Sequence, residues 1–166
     1  MADKTLDDLF YETLKDIYYA ERKILKTLPK MARAAQSEKL KAAFQQHKDE
    51  TEGQIERRQQ VFEIIGKRPR AKTCAAIDGI VEEGEEIMEE FKGSPAHDAG
   101  LLASAQAVEH YEISRYGTLR AWAKQLGYAE AVKLLDATLA EESKTDDALT
   151  KLAETAVNSA AQKKAA

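Results

Sequence analysis

With 166 residues, 43% of them apolar and 33% charged, the chain has the size of one domain and enough apolar material for a core beneath a charged surface. Its formal net charge of −4, with the signs well mixed, gives no electrostatic case for nucleic acid or an anionic membrane as partner. A lone cysteine, Cys74, excludes an internal disulfide, and no run approaches the ~18 apolar residues of a membrane span. The start, Met1-Ala2-Asp3-Lys4, lacks a basic region followed by an apolar run, so a soluble cytoplasmic protein is expected.

Alanine, leucine, glutamate and lysine dominate, and the apolar spacing is helical throughout. Leu6, Leu9, Phe10, Leu14, Ile17, Ile24, Leu25, Leu28 and Met31 predict a first helix over about 5–35. Thr5 and Asp8 form a capping-box start, and Pro29 is expected to kink the helix or end it early. Ser37 caps a second helix whose stripe is Leu40, Phe44, His47, Thr51, Gln54, Arg58, Val61 and Ile65, with Gly66 as its stop. The basic run Lys67, Arg68, Arg70 and Lys72 complements the dipole of that helix end.

Residues 74–92 form a shorter amphipathic helix that Gly93 ends. Ser94-Pro95 then starts a third long helix, which runs to about Leu126 before Gly127. The fourth runs from about Tyr128 or Ala129 to Ser159. Residues 1–159 thus make one bundle domain, and 160–166 an alanine-lysine tail expected to be disordered. Short connections make each helix pair an antiparallel hairpin, and the long link between the pairs can cross the bundle. The fold class is all-α: a ferritin-like up-down-down-up four-helix bundle with an extra short helix in its crossover.

Each long helix carries polar groups on its apolar face near the middle: Glu21; then His47, Glu50, Thr51 and Gln54; then Glu109 and Glu112; then Glu142 with Thr145 or Asp146. A buried carboxylate needs a reason, and several together repel. A divalent cation neutralises them, and carboxylates with a histidine suit iron or manganese better than zinc. Glu21, His47, Glu50, Glu109, Glu112 and Glu142 are the candidate ligands, with Gln54 and Asp146 as supporting groups. Glu141 replaces Glu142 if the register shifts by one. Tyr18 and Tyr116 lie one turn from Glu21 and Glu112, as packing residues or as donors near a metal. His110 turns off the glutamate face, and His97 reads as surface. A weak repeat aligns Ile17–Ala32 with Val108–Ala123, matching Glu21 to Glu112, as two ligand-bearing hairpins would.

The strings Asp16-Ile17-Tyr18-Tyr19-Ala20-Glu21, His47-Lys48-Asp49-Glu50-Thr51, Val108-Glu109-His110-Tyr111-Glu112 and Leu139-Ala140-Glu141-Glu142 resemble the bacterial YciF-like stress protein family, over about residues 5–155. That family is similar to the ferritin-like superfamily, in which rubrerythrin-type proteins bind two irons. The resemblance implies two iron ions, or manganese, in the bundle core of a stress-response protein, with reaction toward oxygen or peroxide. The pattern departs from the superfamily's Glu-x-x-His: Gly53 follows Glu50 at that step, and Thr145 follows Glu142.

Metal ions and a second copy of the chain are the expected partners, as a homodimer. A metal-free bundle acting as a structural or partner-binding dimer is the alternative. A storage or DNA-protecting cage is disfavoured, because no basic arm exceeds the short lysine tail.

Overall fold

Thr5 opens α1 (Leu6–Ala34) with a complete capping box: its hydroxyl accepts the Asp8 amide at 3.3 Å, and the Asp8 carboxylate accepts the Thr5 amide at 2.9 Å. The computed structural model describes residues 3–162. Pro29 does not end α1, which continues to Ala34. Its ring fixes a helical φ and removes one hydrogen bond, while Leu28 and Met31 on either side stay buried in the core.

Ser37 caps α2 (Glu38–Ile64) by accepting the Leu40 amide at 3.4 Å, and Gly66 turns the chain away at φ +66. The crossover contains α3 (Ala75–Glu90), and α4 (His97–Gln125) follows. Ser94 and Pro95, expected to start that helix, form a turn instead. The start is set from outside: Asp98 accepts the amides of Gln36 at 2.8 Å and Ser37 at 2.7 Å, tying the first turn of α4 to the α1–α2 connection. His97, expected at the surface, is buried by the same docking.

The last long helix, α5 (Ala129–Leu152), passes through a π turn (Ala153–Val157) into α6 (Asn158–Ala161). Helical structure therefore reaches into the expected tail, whose residues 163–166 lie outside the described residues.

Two contacts fix the topology. Asp98 sets the start of α4 beside the end of α1, and Tyr128 donates to Asp7 at 2.7 Å, setting the α4–α5 connection beside the start of α1. α1 and α2 form one antiparallel hairpin, α4 and α5 the other, and α2 packs on α5 as α1 packs on α4. The order is up-down-down-up, with α3 lying along α4 and α1. Among the described residues there is no strand, and no helix is long and apolar enough to cross a membrane.

α3 reaches α4 closely at Gly100, where an added Cβ would lie 2.5 Å from a branch methyl of Ile87. Isoleucine in a helix holds one rotamer, so it cannot swing aside and the helices must part. Gly100→Ala is expected to lower the melting temperature by roughly 2–8 °C: at so short a contact the overpacking cost is about 2–3 kcal/mol, and the alanine propensity gain returns about 1 kcal/mol. A thermal melt checks it; an unchanged or higher midpoint contradicts the close approach.

Along the bundle the core has three levels. Ile24, Leu28, Leu40, Phe44, Leu101, Leu102 and Leu149 fill one end. Phe10, Leu14, Ile17, Val61, Phe62, Leu119 and Leu135 fill the other. Between them lies a layer of buried polar side chains.

Candidate metal centre

That layer is built from all four long helices. Glu21 on α1, His47, Thr51, Gln54 and Arg58 on α2, Glu109 and Glu112 on α4, and Thr138 and Glu142 on α5 are all at most 3% exposed. Each sits at a three- or four-residue step from another buried residue of its helix, so helical periodicity delivers it inward.

His47, Glu109, Glu112 and Glu142 converge. One donor atom from each lies within 4.8 Å of the other three. Donors at about 2.0–2.4 Å from a common centre are at most about 4.8 Å apart, so the four can hold one metal ion. Both oxygens of Glu109, Glu112 and Glu142, and Nε2 of His47, are buried without a hydrogen-bond partner. His47 Nδ1 is 2.9 Å from Glu109 Oε1, but without hydrogen-bond alignment, and His47 Nε2 is 3.8 Å from Glu142 Oε2.

Burial dominates the electrostatics. It pushes the Glu109 carboxyl up to about 7. Burial, with the charges of Glu142, Glu21 and Glu109 behind it, holds Glu112 well above the ordinary carboxylate range. Glu142 is also driven well up, by burial and then by Glu109, with His47 opposing. As carboxylates, Glu109 and Glu142 have no donor between them; one shared proton makes them a hydrogen-bonded pair.

The other expected ligands lie outside this group. Glu21 is buried beside it with one oxygen bonded: Arg58 Nη1 donates to Glu21 Oε1 at 3.1 Å and Tyr116 donates a short hydrogen bond to the same oxygen, while Oε2 is buried without a partner. Glu50 is half-buried one helical step away, accepting from Gln46 at 2.9 Å and from Thr145 at 3.1 Å. Glu142, not Glu141, faces the core; Glu141 is paired with Arg57 and accepts from Gln54 at 3.1 Å. Asp146 bonds the exposed His110 at 3.0 Å, away from the cluster. Tyr18 packs edge-on against Phe62.

Arg58 is the residue that sequence reasoning passed over. It occupied a regular place in the apolar stripe of α2, and a base on a core face is as strong a signal as an acid. Its guanidinium is 1% exposed, stacks 4.5 Å from the Tyr116 ring centroid, and donates to the Gln54 carbonyl at 3.3 Å. Burial pulls this guanidinium down, but Tyr116, Glu21, Glu112 and Glu142 more than reverse it, so it stays charged. Burial pushes the Tyr116 phenol well up, which keeps it a donor.

A small cleft of about 50 Å³ between α2 and α5, lined by Gln46, His47, Glu50, Lys144 and Thr145, runs to His47. A larger hollow, about 730 Å³ beside Arg120, Lys124 and Lys133, is at the α4–α5 end and open to solvent, away from this chemistry.

Known proteins share this architecture. Residues 5–162 match the family described as "Domain of unknown function (DUF892)". Protein YciF of Escherichia coli (strain K12) is 47% identical over 166 residues, 99% of this chain and 100% of its own length. The crystal structure of the E. coli stress protein YciF matches with a TM-score of 0.89 at 47% identity, covering 94% of this chain and 99% of that one. YcfI of Rhodopseudomonas palustris, described as a candidate structural protein, matches with a TM-score of 0.86 at 45% identity, covering 89% of this chain and 94% of that one. With its helical order, its buried histidine-glutamate layer and this full-length similarity, the chain belongs to the YciF-like family, the DUF892 domain family.

Proposed function

We propose that the chain is a ferritin-like carboxylate metal protein of the bacterial stress response, holding iron or manganese among His47, Glu109, Glu112 and Glu142. One observation carries this reading: three buried glutamates have both oxygens, and a histidine its Nε2, without a hydrogen-bond partner, and one donor atom from each of the four residues lies within 4.8 Å of the others. Burying such groups unpaired costs several kcal/mol each, and a divalent cation removes that cost. The donor set has no thiolate, which favours iron or manganese over zinc. The stress-response part rests on the relative from E. coli, which is a stress protein by description.

Iron in this position supplies redox chemistry toward oxygen or peroxide. The chain's own residues do the rest. The apolar levels on either side exclude bulk water. The cleft at His47 admits a reactant of about the size of water, whose share of liquid volume is about 30 Å³. Glu50 at that cleft places a negative charge where an entering cation passes. Glu109 and Glu142 keep a proton between them when no ion is held and release it when one binds. The expected second ion would draw on Glu21 and Glu50, which are already bonded to Arg58, Tyr116, Gln46 and Thr145.

Elemental analysis of protein purified without chelator is expected to find iron or manganese, and chelator-treated protein is expected to take up iron(II) or manganese(II). Protein that takes up neither would overturn the proposal. It would favour the metal-free scaffold, the reading that suits the Arg58–Glu21–Tyr116 network, in which Glu21 Oε1 is met by the protein's own donors. The expected assembly is a homodimer, with Leu9 and Phe91 as large apolar side chains exposed on the single chain. Sedimentation at twice the chain mass checks it; a strict monomer or a large cage contradicts it.

A further inference from the structure

We infer that the site is built for one metal ion, because the guanidinium of Arg58 stands where a second cation would be needed. This rests on the metal-binding reading above and fixes the number of ions.

Two hairpins with matched glutamates on α1 and α4, Glu21 and Glu112, would ordinarily serve two ions. The structure breaks that match. On the α4–α5 side, Glu109, Glu112 and Glu142 keep six oxygens free, and His47 joins them from α2. On the α1–α2 side, Glu21 meets the protein's own cation, with Arg58 Nη1 at 3.1 Å and the Tyr116 hydroxyl on the same oxygen, which leaves Oε2 as its one unpartnered oxygen. The guanidinium is held from three directions: by Glu21, by the Gln54 carbonyl at 3.3 Å, and by the Tyr116 ring face at 4.5 Å. Arginine stays charged in proteins, so this cation is permanent. Glu50, the carboxylate that α2 would offer a second ion, is turned to Gln46 and Thr145.

Charge leads to the same count. Glu21, Glu109, Glu112 and Glu142 bring four negative charges to the layer, and Arg58 already meets one of them. One divalent ion beside Arg58 leaves a single excess negative charge; two leave an excess positive charge in a water-poor interior, beside a guanidinium that cannot shed its own.

The test loads metal-stripped protein with manganese(II) and reads bound equivalents by elemental analysis and the manganese environment by electron paramagnetic resonance. The wild type is expected to bind one equivalent tightly, with the six-line pattern of an isolated ion. Arg58→Met keeps the bulk and removes the charge; it is expected to bind two equivalents and show the many-line pattern of a coupled pair. A wild type with two tightly bound, coupled ions would overturn this inference and leave the metal-binding reading standing. A wild type that binds none would remove both. A folded Arg58→Met protein that still binds one would show that Arg58 does not set the count, and would also overturn it. If Arg58→Met does not fold, Glu21→Gln decides. Retention of one equivalent within about threefold of wild-type affinity supports Glu21 as the partner of Arg58, and a loss beyond about tenfold, 1.4 kcal/mol, makes Glu21 a ligand and overturns the inference.

Discussion

Glu112→Gln combined with Glu142→Gln is expected to weaken metal binding by more than about 100-fold while leaving the metal-free bundle as stable as the parent or more so. Losing a group that only orients a ligand already costs up to about 100-fold, and here two ligands go. The stability expectation follows from burial. In the metal-free protein both carboxyls are pushed well above their ordinary range, first by burial and then by one another and their neighbours. Glutamine keeps the shape and removes the charge that must otherwise be neutralised. In the wild type, free metal at 100 times Kd adds about 2.7 kcal/mol, or roughly 5–10 °C in Tm for a chain of this length. That gain should vanish in the double variant. Calorimetric titration and thermal melts with and without metal check both halves. A metal-free melting point several degrees lower, with the metal response intact, would mean that these glutamates hold the helices together by hydrogen bonds.

The second large effect is a reversed pH dependence of the metal-free protein. Glu109 has a folded value near 7 against an ordinary 4.5, because burial opposes its charged form. The folded state therefore keeps a proton that the unfolded state releases. The associated stability is fully present below about pH 4.5 and is lost as pH climbs toward 7 and past it. For Glu109 alone this amounts to about 3 kcal/mol, at 1.36 kcal/mol per pH unit. Glu112 and Glu142 shift in the same direction and extend the decline upward. The metal-free protein is expected to melt roughly 5–10 °C lower at about pH 8 than at about pH 5. Saturating metal should reverse the trend, since its ligands must shed their protons to bind. Melts across this range decide it: a metal-free midpoint that rises steadily with pH contradicts the buried-carboxyl account.

Helical periodicity made most of this layer legible from sequence. Glu21, His47, Glu109, Glu112 and Glu142 each fall on a regular apolar stripe, and all are buried. Glu50 shows the limit of that reasoning. It sits next to Thr51, which carries the stripe; a rotation of one position along α2 turns Thr51 inward, at 1% exposure, and Glu50 toward Gln46 and Thr145. Arg58 lay on the same stripe, but its role depends on Glu21 and Tyr116, 37 and 58 residues away in sequence, whose approach no local pattern reveals. The start of α4 was misplaced for a similar reason. Ser94-Pro95 has the local chemistry of a helix start, but the start is set at Asp98 by amides more than 60 residues away. Which acids are buried is local information; which of them already have a partner is tertiary.

The three-level core has a further consequence for how the bundle opens. An apolar cluster at each end is separated by a polar slab that, without an ion, Arg58, Glu21 and Tyr116 tie across α1, α2 and α4 while the Glu112 oxygens stay unpartnered. Such a molecule can fray from either end without the other following, as two cooperative units rather than one. An ion gripped by α2, α4 and α5 stitches the slab, and Arg58 with Glu21 ties α1 to it from within. Amide hydrogen exchange should then slow at both ends of the bundle when metal binds, including at residues such as Leu14 and Leu101 that never touch the ion. The metal would then govern how far an opening at one end travels along the helices.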